Sequence, residues 1–137
     1  MYTLQVLQWV QITTKLKSGR EAESYNGPSV IIAYSPCINH GIKAGMGKSL
    51  QEVKKAVDCG YWSMYRFNPD LKKEGKNPFI LDSTPEPNFD ALPDFMMGEV
   101  RYASLKKAFP EKADALFAKA VKDAKARLDV YKRMARD

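Results

Sequence analysis

The chain has 137 residues, 45% hydrophobic and 28% charged, enough for one compact domain that buries roughly two-thirds of its unfolded surface. Its 22 Lys and Arg outnumber 16 Asp and Glu for a formal charge of +6. This supports loose attraction to acidic partners, but no clustered basic face or base-stacking module accompanies it, so nucleic-acid reading is excluded. The longest apolar stretch, around residues 30–33, falls far short of the roughly 20 residues of a membrane helix. No charged leader precedes an apolar signal core, which predicts a cytoplasmic protein with no membrane partner. Cys37 and Cys59 are the two cysteines, and neither has a Cys-x-x-Cys partner. A disulfide framework is thereby excluded, and any metal site must borrow ligands.

Residues 1–20 contain no acidic residue ahead of Arg20, and residues 2–12 form an apolar run without a clear cap or turn. Residues 21–27 read as the end of a helix running into a turn punctuated by Asn26, Gly27 and Pro28. The β-branched run Val30-Ile31-Ile32-Ala33-Tyr34 predicts a buried strand ended by Ser35 and Pro36. Ser49-Leu50-Gln51-Glu52 has capping-box spacing, predicting a helix from about Leu50 with Leu50, Val53, Ala56 and Val57 on its inner face and Gly60 as its stop.

Residues 61–67 are aromatic with rough alternation and predict an extended segment, followed by an Asn68-Pro69 turn, a polar loop over 72–77 and a short extended piece at 79–81. Three prolines make 82–93 a surface crossing. Helical periodicity resumes at Asp94 and runs through Ala108. It restarts at Pro110 with Ala113, Leu116, Phe117, Ala120, Val121, Ala124, Leu128 and Tyr131 on one stripe, predicting a C-terminal helical hairpin over 94–137.

Glycines at 41, 45 and 47 before Lys48-Ser49 invite a phosphate-loop reading, but Gly41 leaves five residues before the Gly-Lys pair where a Walker loop has four. A turn leading to a capped helix explains them. His40 reads as a loop histidine held by backbone bonds, because no nucleophile with an orienting carboxylate can be assigned around it. Tyr61, Trp62, Tyr65 and Phe67 read as core or interface and not as a base-stacking platform. Cys59, beside a helix stop, reads as packing. Cys37 sits at the carboxyl end of the predicted strand, the edge of an α/β sheet where ligands gather. No residue is assigned a catalytic role.

Tyr25-Asn26-Gly27-Pro28-Ser29, the strand, Ser35-Pro36-Cys37-Ile38-Asn39-His40-Gly41-Ile42 and Met46-Gly47-Lys48-Ser49 together resemble the C-terminal region of the pyruvate:ferredoxin (flavodoxin) oxidoreductases, also called pyruvate synthases. Gly60-Tyr61-Trp62, Tyr65-Arg66-Phe67-Asn68-Pro69, Gly75-Lys76-Asn77-Pro78-Phe79, Leu81-Asp82-Ser83 and Met97-Gly98-Glu99-Val100-Arg101-Tyr102 continue the likeness in order across residues 21–137. The resemblance implies a segment of a cytoplasmic homodimer of anaerobic metabolism. Such an enzyme oxidatively decarboxylates pyruvate to acetyl-CoA and CO2 and passes electrons through iron–sulfur clusters to ferredoxin or flavodoxin.

The implied fold is α/β: residues 21–93 end a thiamine-diphosphate-binding domain of few strands, one of them buried and parallel, and 94–137 form the hairpin. The implied cofactors are a [4Fe–4S] cluster, thiamine diphosphate and Mg in the full-length enzyme, with none expected on this chain alone. Cys37 corresponds to one of four ligands of the cluster nearest the thiamine cofactor, and the other three fall outside this sequence. The isolated chain is therefore expected to be catalytically silent. The competing reading is a small non-catalytic subunit or interaction module that docks on a separate thiamine-diphosphate-binding partner.

Residues 1–20 depart from the family pattern. Read one nucleotide upstream, permitted codons for residues 1–16 give Val-Tyr-Val-Ala-Ser-Val-Ala-Met-Gly-Ala-Asn-His-Asn-Gln-Thr, which resembles the family's segment at this place. The N-terminus accordingly reads as frameshifted, with no evolved packing partner, and the strand at 30–34 as lacking parallel neighbours.

Overall fold

A computed structural model describes residues 3–7, 12–84 and 86–136, with side chains from Ser18 onward. The described elements are strand β1 (Thr3–Leu7), helix α1 (Ile12–Ser24), strand β2 (Ser29–Ala33), helix α2 (Ser49–Asp58), strand β3 (Tyr65–Phe67), helix α3 (Pro69–Lys73), strand β4 (Phe79–Leu81) and helices α4 (Leu92–Gly98), α5 (Val100–Ala108) and α6 (Pro110–Met134). The strands form one mixed sheet in the order β2-β1-β3-β4. β1 runs parallel to β2, with Thr3 opposite Ser29 and Leu7 opposite Ala33, and antiparallel to β3, which pairs antiparallel with β4. The α/β class is as the sequence predicts.

The strand expected to be buried is not. All five residues of β2 are exposed, with Val30, Ile31 and Ile32 at 45%, 49% and 43%. β2 is an edge strand, touched by α1 at Ser29, and its side chains stay exposed where a β-branched parallel strand is normally covered on both faces. It does have a parallel neighbour, because β1, drawn from the N-terminal segment expected to lack a partner, pairs along its whole length. Replacing Ile31 by lysine should lower self-association measured by light scattering and cost no more than about 1 kcal/mol of stability. Unchanged scattering would show that this edge is not the sticky surface.

The core lies between α2, α4 and α6. Ala56 and Cys59 meet Leu92, Phe95 and Met96, and Ala113, Phe117 and Ala124 close the cluster. On α2, Val53, Ala56 and Val57 are buried as their spacing predicts, but Leu50 is exposed and Glu52 takes the inner face. The capping box does not form. Lys48 is the N-cap, and Ser49 Oγ donates back to the Met46 carbonyl of a preceding 3-10 turn. Gly60 ends the helix with φ 75°, and a Cβ there would lie 2.5 Å from a ring carbon of Phe89, so positive φ and close packing both require glycine.

The polar stretch after Asn68 contains α3, because Asn68 Oδ1 accepts the Asp70 N–H at 3.0 Å and Pro69 opens the turn. The helix expected from Asp94 to Ala108 is two helices, broken where Glu99 is extended (φ −82°, ψ 122°). α6 then folds back along α5, bringing Tyr102 against Phe117 and Lys106 to Asp114, which is the predicted hairpin. Leu116 faces solvent and not the stripe. The 82–93 crossing is less superficial than expected, since Leu92 is buried in the core. No helix among the described residues is long and apolar enough to cross a membrane.

Candidate functional site at the end of strand β2

The chain leaves β2 through Tyr34, and a buried Pro36 turns it outward. Cys37 follows as a partly exposed thiol, and the Gly41 N–H returns to the Cys37 carbonyl at 2.8 Å. Gly41, at φ 76°, reverses the chain there as few L-residues could. This tight turn brings Cys37 Sγ and His40 Nδ1 to 3.1 Å. The imidazole contact, with the His40 and Asn39 backbone N–H groups, favours the thiolate and lowers the Cys37 pKa to about 7 from 9.0.

Cys59 is the opposite case. It is 2% exposed in the core, its thiol donates to the Ala56 carbonyl at 3.6 Å, and burial pushes its pKa up to about 11. Of the two thiols Cys37 is the accessible one, and Cys59 is packing. Alkylation of Cys37 by iodoacetamide should rise through a midpoint near pH 7. His40→Ala should move that midpoint toward 9.0 and slow the reaction at pH 7 by at least about fivefold, as the thiolate fraction falls. An unmoved midpoint would remove His40 from the account.

The sequence placed His40 in a loop but missed its pairing with Cys37, for which the readable signal was the Cys-x-x-His spacing. It also missed the groups beneath the loop. Glu99 is 0% exposed, and its Oε1 accepts the Tyr34 hydroxyl at 2.7 Å. Burial and this bond push the Tyr34 phenol well above its ordinary range. Arg101 Nε lies 3.1 Å from Glu99 Oε2, close enough for an ion pair but without hydrogen-bond alignment. Two further tyrosines brace the floor, Tyr61 and Tyr102, whose hydroxyls are 2.8 Å apart.

Beside the loop, a cleft of about 340 Å³ is lined by Ile32, Tyr34, Tyr61, Trp62, Tyr65 and Tyr131, with Arg127 at its edge. Tyr34 stacks obliquely on Trp62, with centroids 5.5 Å apart. This bears out Tyr61, Trp62 and Tyr65 as packing residues that also present a surface. Among the described residues, no group of three or more His, Cys, Asp or Glu is arranged to hold a metal ion.

The sequence comparisons point to a class of redox enzyme: this chain is similar to pyruvate oxidoreductases. It matches the pyruvate:ferredoxin oxidoreductase of Moorella thermoacetica at 57% identity over 98% of its length, and the pyruvate-flavodoxin oxidoreductase of Enterobacter agglomerans at 52% over the same share. It also matches the mitochondrial pyruvate dehydrogenase [NADP(+)] of Euglena gracilis at 45% over 87% of its length. The chain spans 11%, 11% and 6% of those relatives, so what is matched is a fragment of that enzyme. The two longer alignments reach into the first 20 residues, beyond the 21–137 span that carries the recognisable landmarks. No family model matches the chain.

Proposed function

We propose that this chain is the part of a pyruvate oxidoreductase that contributes Cys37 as one of four ligands to a [4Fe–4S] cluster. The other three ligands come from polypeptide outside this sequence. The observation that carries the reading is the Cys37 turn itself: a partly exposed thiol, poised near neutrality by His40, at the carboxyl end of a sheet strand. Cluster iron takes thiolate ligands, and backbone N–H groups near the sulfurs tune its potential. The described residues fit one corner of such a cluster and no more. Cys59 is sealed in the core and cannot serve as a second ligand without unfolding α2.

The assembled enzyme would oxidatively decarboxylate pyruvate to acetyl-CoA and CO2 and send the electrons onward through its clusters. Thiamine diphosphate and Mg, held elsewhere in that enzyme, would supply the electron sink for decarboxylation. No residue described here fits their binding, so this chain has no step at the substrate, and alone it is silent. Its relatives are named for ferredoxin, flavodoxin and NADP+ as acceptors. A similar segment in relatives whose names differ in this way supports the view that acceptor choice lies in other parts of the enzyme. Ferredoxin or flavodoxin, a homodimeric assembly and a cytoplasmic location remain this chain's expected context.

The exposed face of β2 and the aromatic cleft next to it also favour a segment built to be covered by more polypeptide. The reading is tested by substituting residues 21–137 for the matching segment of the Moorella enzyme. Pyruvate-dependent ferredoxin reduction should persist within about tenfold of the parent. A soluble, folded chimera without that activity would overturn the proposed role.

A further inference from the structure

The turn that presents Cys37 is fastened at its start to Glu99 and at its end to Gly98, Glu99 and Val100. At its start, the Tyr34 hydroxyl donates to Glu99 Oε1 at 2.7 Å. At its end, the Val100 N–H donates to the Gly41 carbonyl at 3.2 Å, the Lys43 N–H donates to the Gly98 carbonyl at 2.9 Å, and Ile42 pairs with Glu99 in an isolated bridge. The residues left between the fastenings are 35–40, with Cys37 and His40 among them. The fastening is rigid from below: Glu99 is 0% exposed, Ile42 is buried, and the break between α4 and α5 exists at Glu99.

A buried carboxylate is a costly way to make a helix break. It needs partners, and here one oxygen is given to Tyr34 while the other faces Arg101 without an aligned bond. An apolar residue at 99 could pack the junction, but it could not hold Tyr34. We infer that Glu99 is a positioning residue for Cys37: by gripping the Tyr34 hydroxyl from the element that also pairs with residues 41–43, it fixes the span and pitch of the thiol-bearing turn. Fixing both ends of a short loop removes most of its freedom, so Sγ and His40 Nδ1 stay in contact before any ligand arrives.

The inference rests on Cys37 being the ligand-bearing thiol, but its test reads the turn and not the cluster. Amide hydrogen exchange is measured in the full chain for Gly41, whose N–H bonds to the Cys37 carbonyl, and for Cys59, whose N–H bonds to the Lys55 carbonyl in the core. The His40 ring resonances are followed in the same samples. In Tyr34→Phe and Glu99→Ala, Gly41 exchange should accelerate about tenfold relative to Cys59, and the His40 ring signals should move toward those of an unpaired imidazole.

Glu99→Gln keeps an acceptor oxygen for Tyr34 and should stay within about threefold of the parent in the same ratio. Should Glu99→Ala fail to fold, Tyr34→Phe carries the test, because the phenylalanine ring preserves the packing. The inference is overturned if Gly41 and Cys59 accelerate equally, if His40 is unmoved in Tyr34→Phe, or if Glu99→Gln behaves as Glu99→Ala. A cluster that survives loss of Cys37 would sink the proposed function and leave these exchange results standing.

Discussion

Arg66→Leu should destabilise the chain by about 3–5 kcal/mol and lower its Tm by roughly 10–20 °C. Arg66 lies in the middle of β3 with its side chain 5% exposed, opposite Gln5 on one side and Ile80 on the other. Its Nε and Nη2 grip both oxygens of Asp82 at 2.7 and 3.0 Å, and Nη1 reaches Glu21 Oε2 at 2.5 Å. Glu21 Oε1 in turn accepts from Asn68 Nδ2 at 2.8 Å. One guanidinium therefore ties α1 to the sheet and to the strand β4 exit. Two carboxylates hold its proton far more tightly than in free arginine.

Removing that cation takes a close charge partner from two largely buried carboxylates, which costs more than the pair itself contributes. Arg66→Lys should fall between leucine and the parent, because an ammonium cannot span both oxygens of Asp82 and reach Glu21 as well. Thermal unfolding followed by circular dichroism decides it. A loss below about 1 kcal/mol for Arg66→Leu would mean the network is solvated and carries little.

The same network shows where the sequence was readable and where it was not. Periodicity located α2 and α6 because their buried residues recur at helical spacing, and the β-branched run at 30–34 located β2. Burial of β2 was misjudged because composition reports what a strand needs, not what packs on it: the run is apolar on both faces, yet it lies at the sheet edge and all five of its residues are exposed. Asp82 and Glu21 lie 16 and 45 positions from Arg66, and nothing local marks them as its partners.

The site divides in the same way. The place of Cys37 just after a strand was legible because Pro36 and Gly41 frame it, and the turn they form is local. Glu99 was not, because its work depends on Tyr34, 65 residues away. The clue available was an acid set among Phe95, Met96, Met97, Gly98 and Val100, a setting that tends to bury the charge and so calls for a partner. Ser49 shows the reverse error: capping-box spacing is satisfied by Ser49 and Glu52, but a 3-10 turn ahead of the helix moved the cap to Lys48, and Glu52 went to the core.

The largest functional effect belongs to Cys37→Ser. A serine hydroxyl at this turn remains protonated at neutral pH and is a hard oxygen donor, so it is a far weaker ligand to cluster iron than a thiolate. Cys59→Ser should cost stability, since it places a hydroxyl in the core, while leaving the cluster intact. The two substitutions thus separate ligand loss from misfolding.

The deciding measurement is the electron paramagnetic resonance spectrum of the reduced, iron-reconstituted chimera carrying residues 21–137, with and without Cys37→Ser. The account predicts that the substituted protein loses one [4Fe–4S] signal and at least about a hundredfold of its pyruvate-dependent ferredoxin reduction. A full complement of cluster signals with undiminished turnover in Cys37→Ser would contradict it.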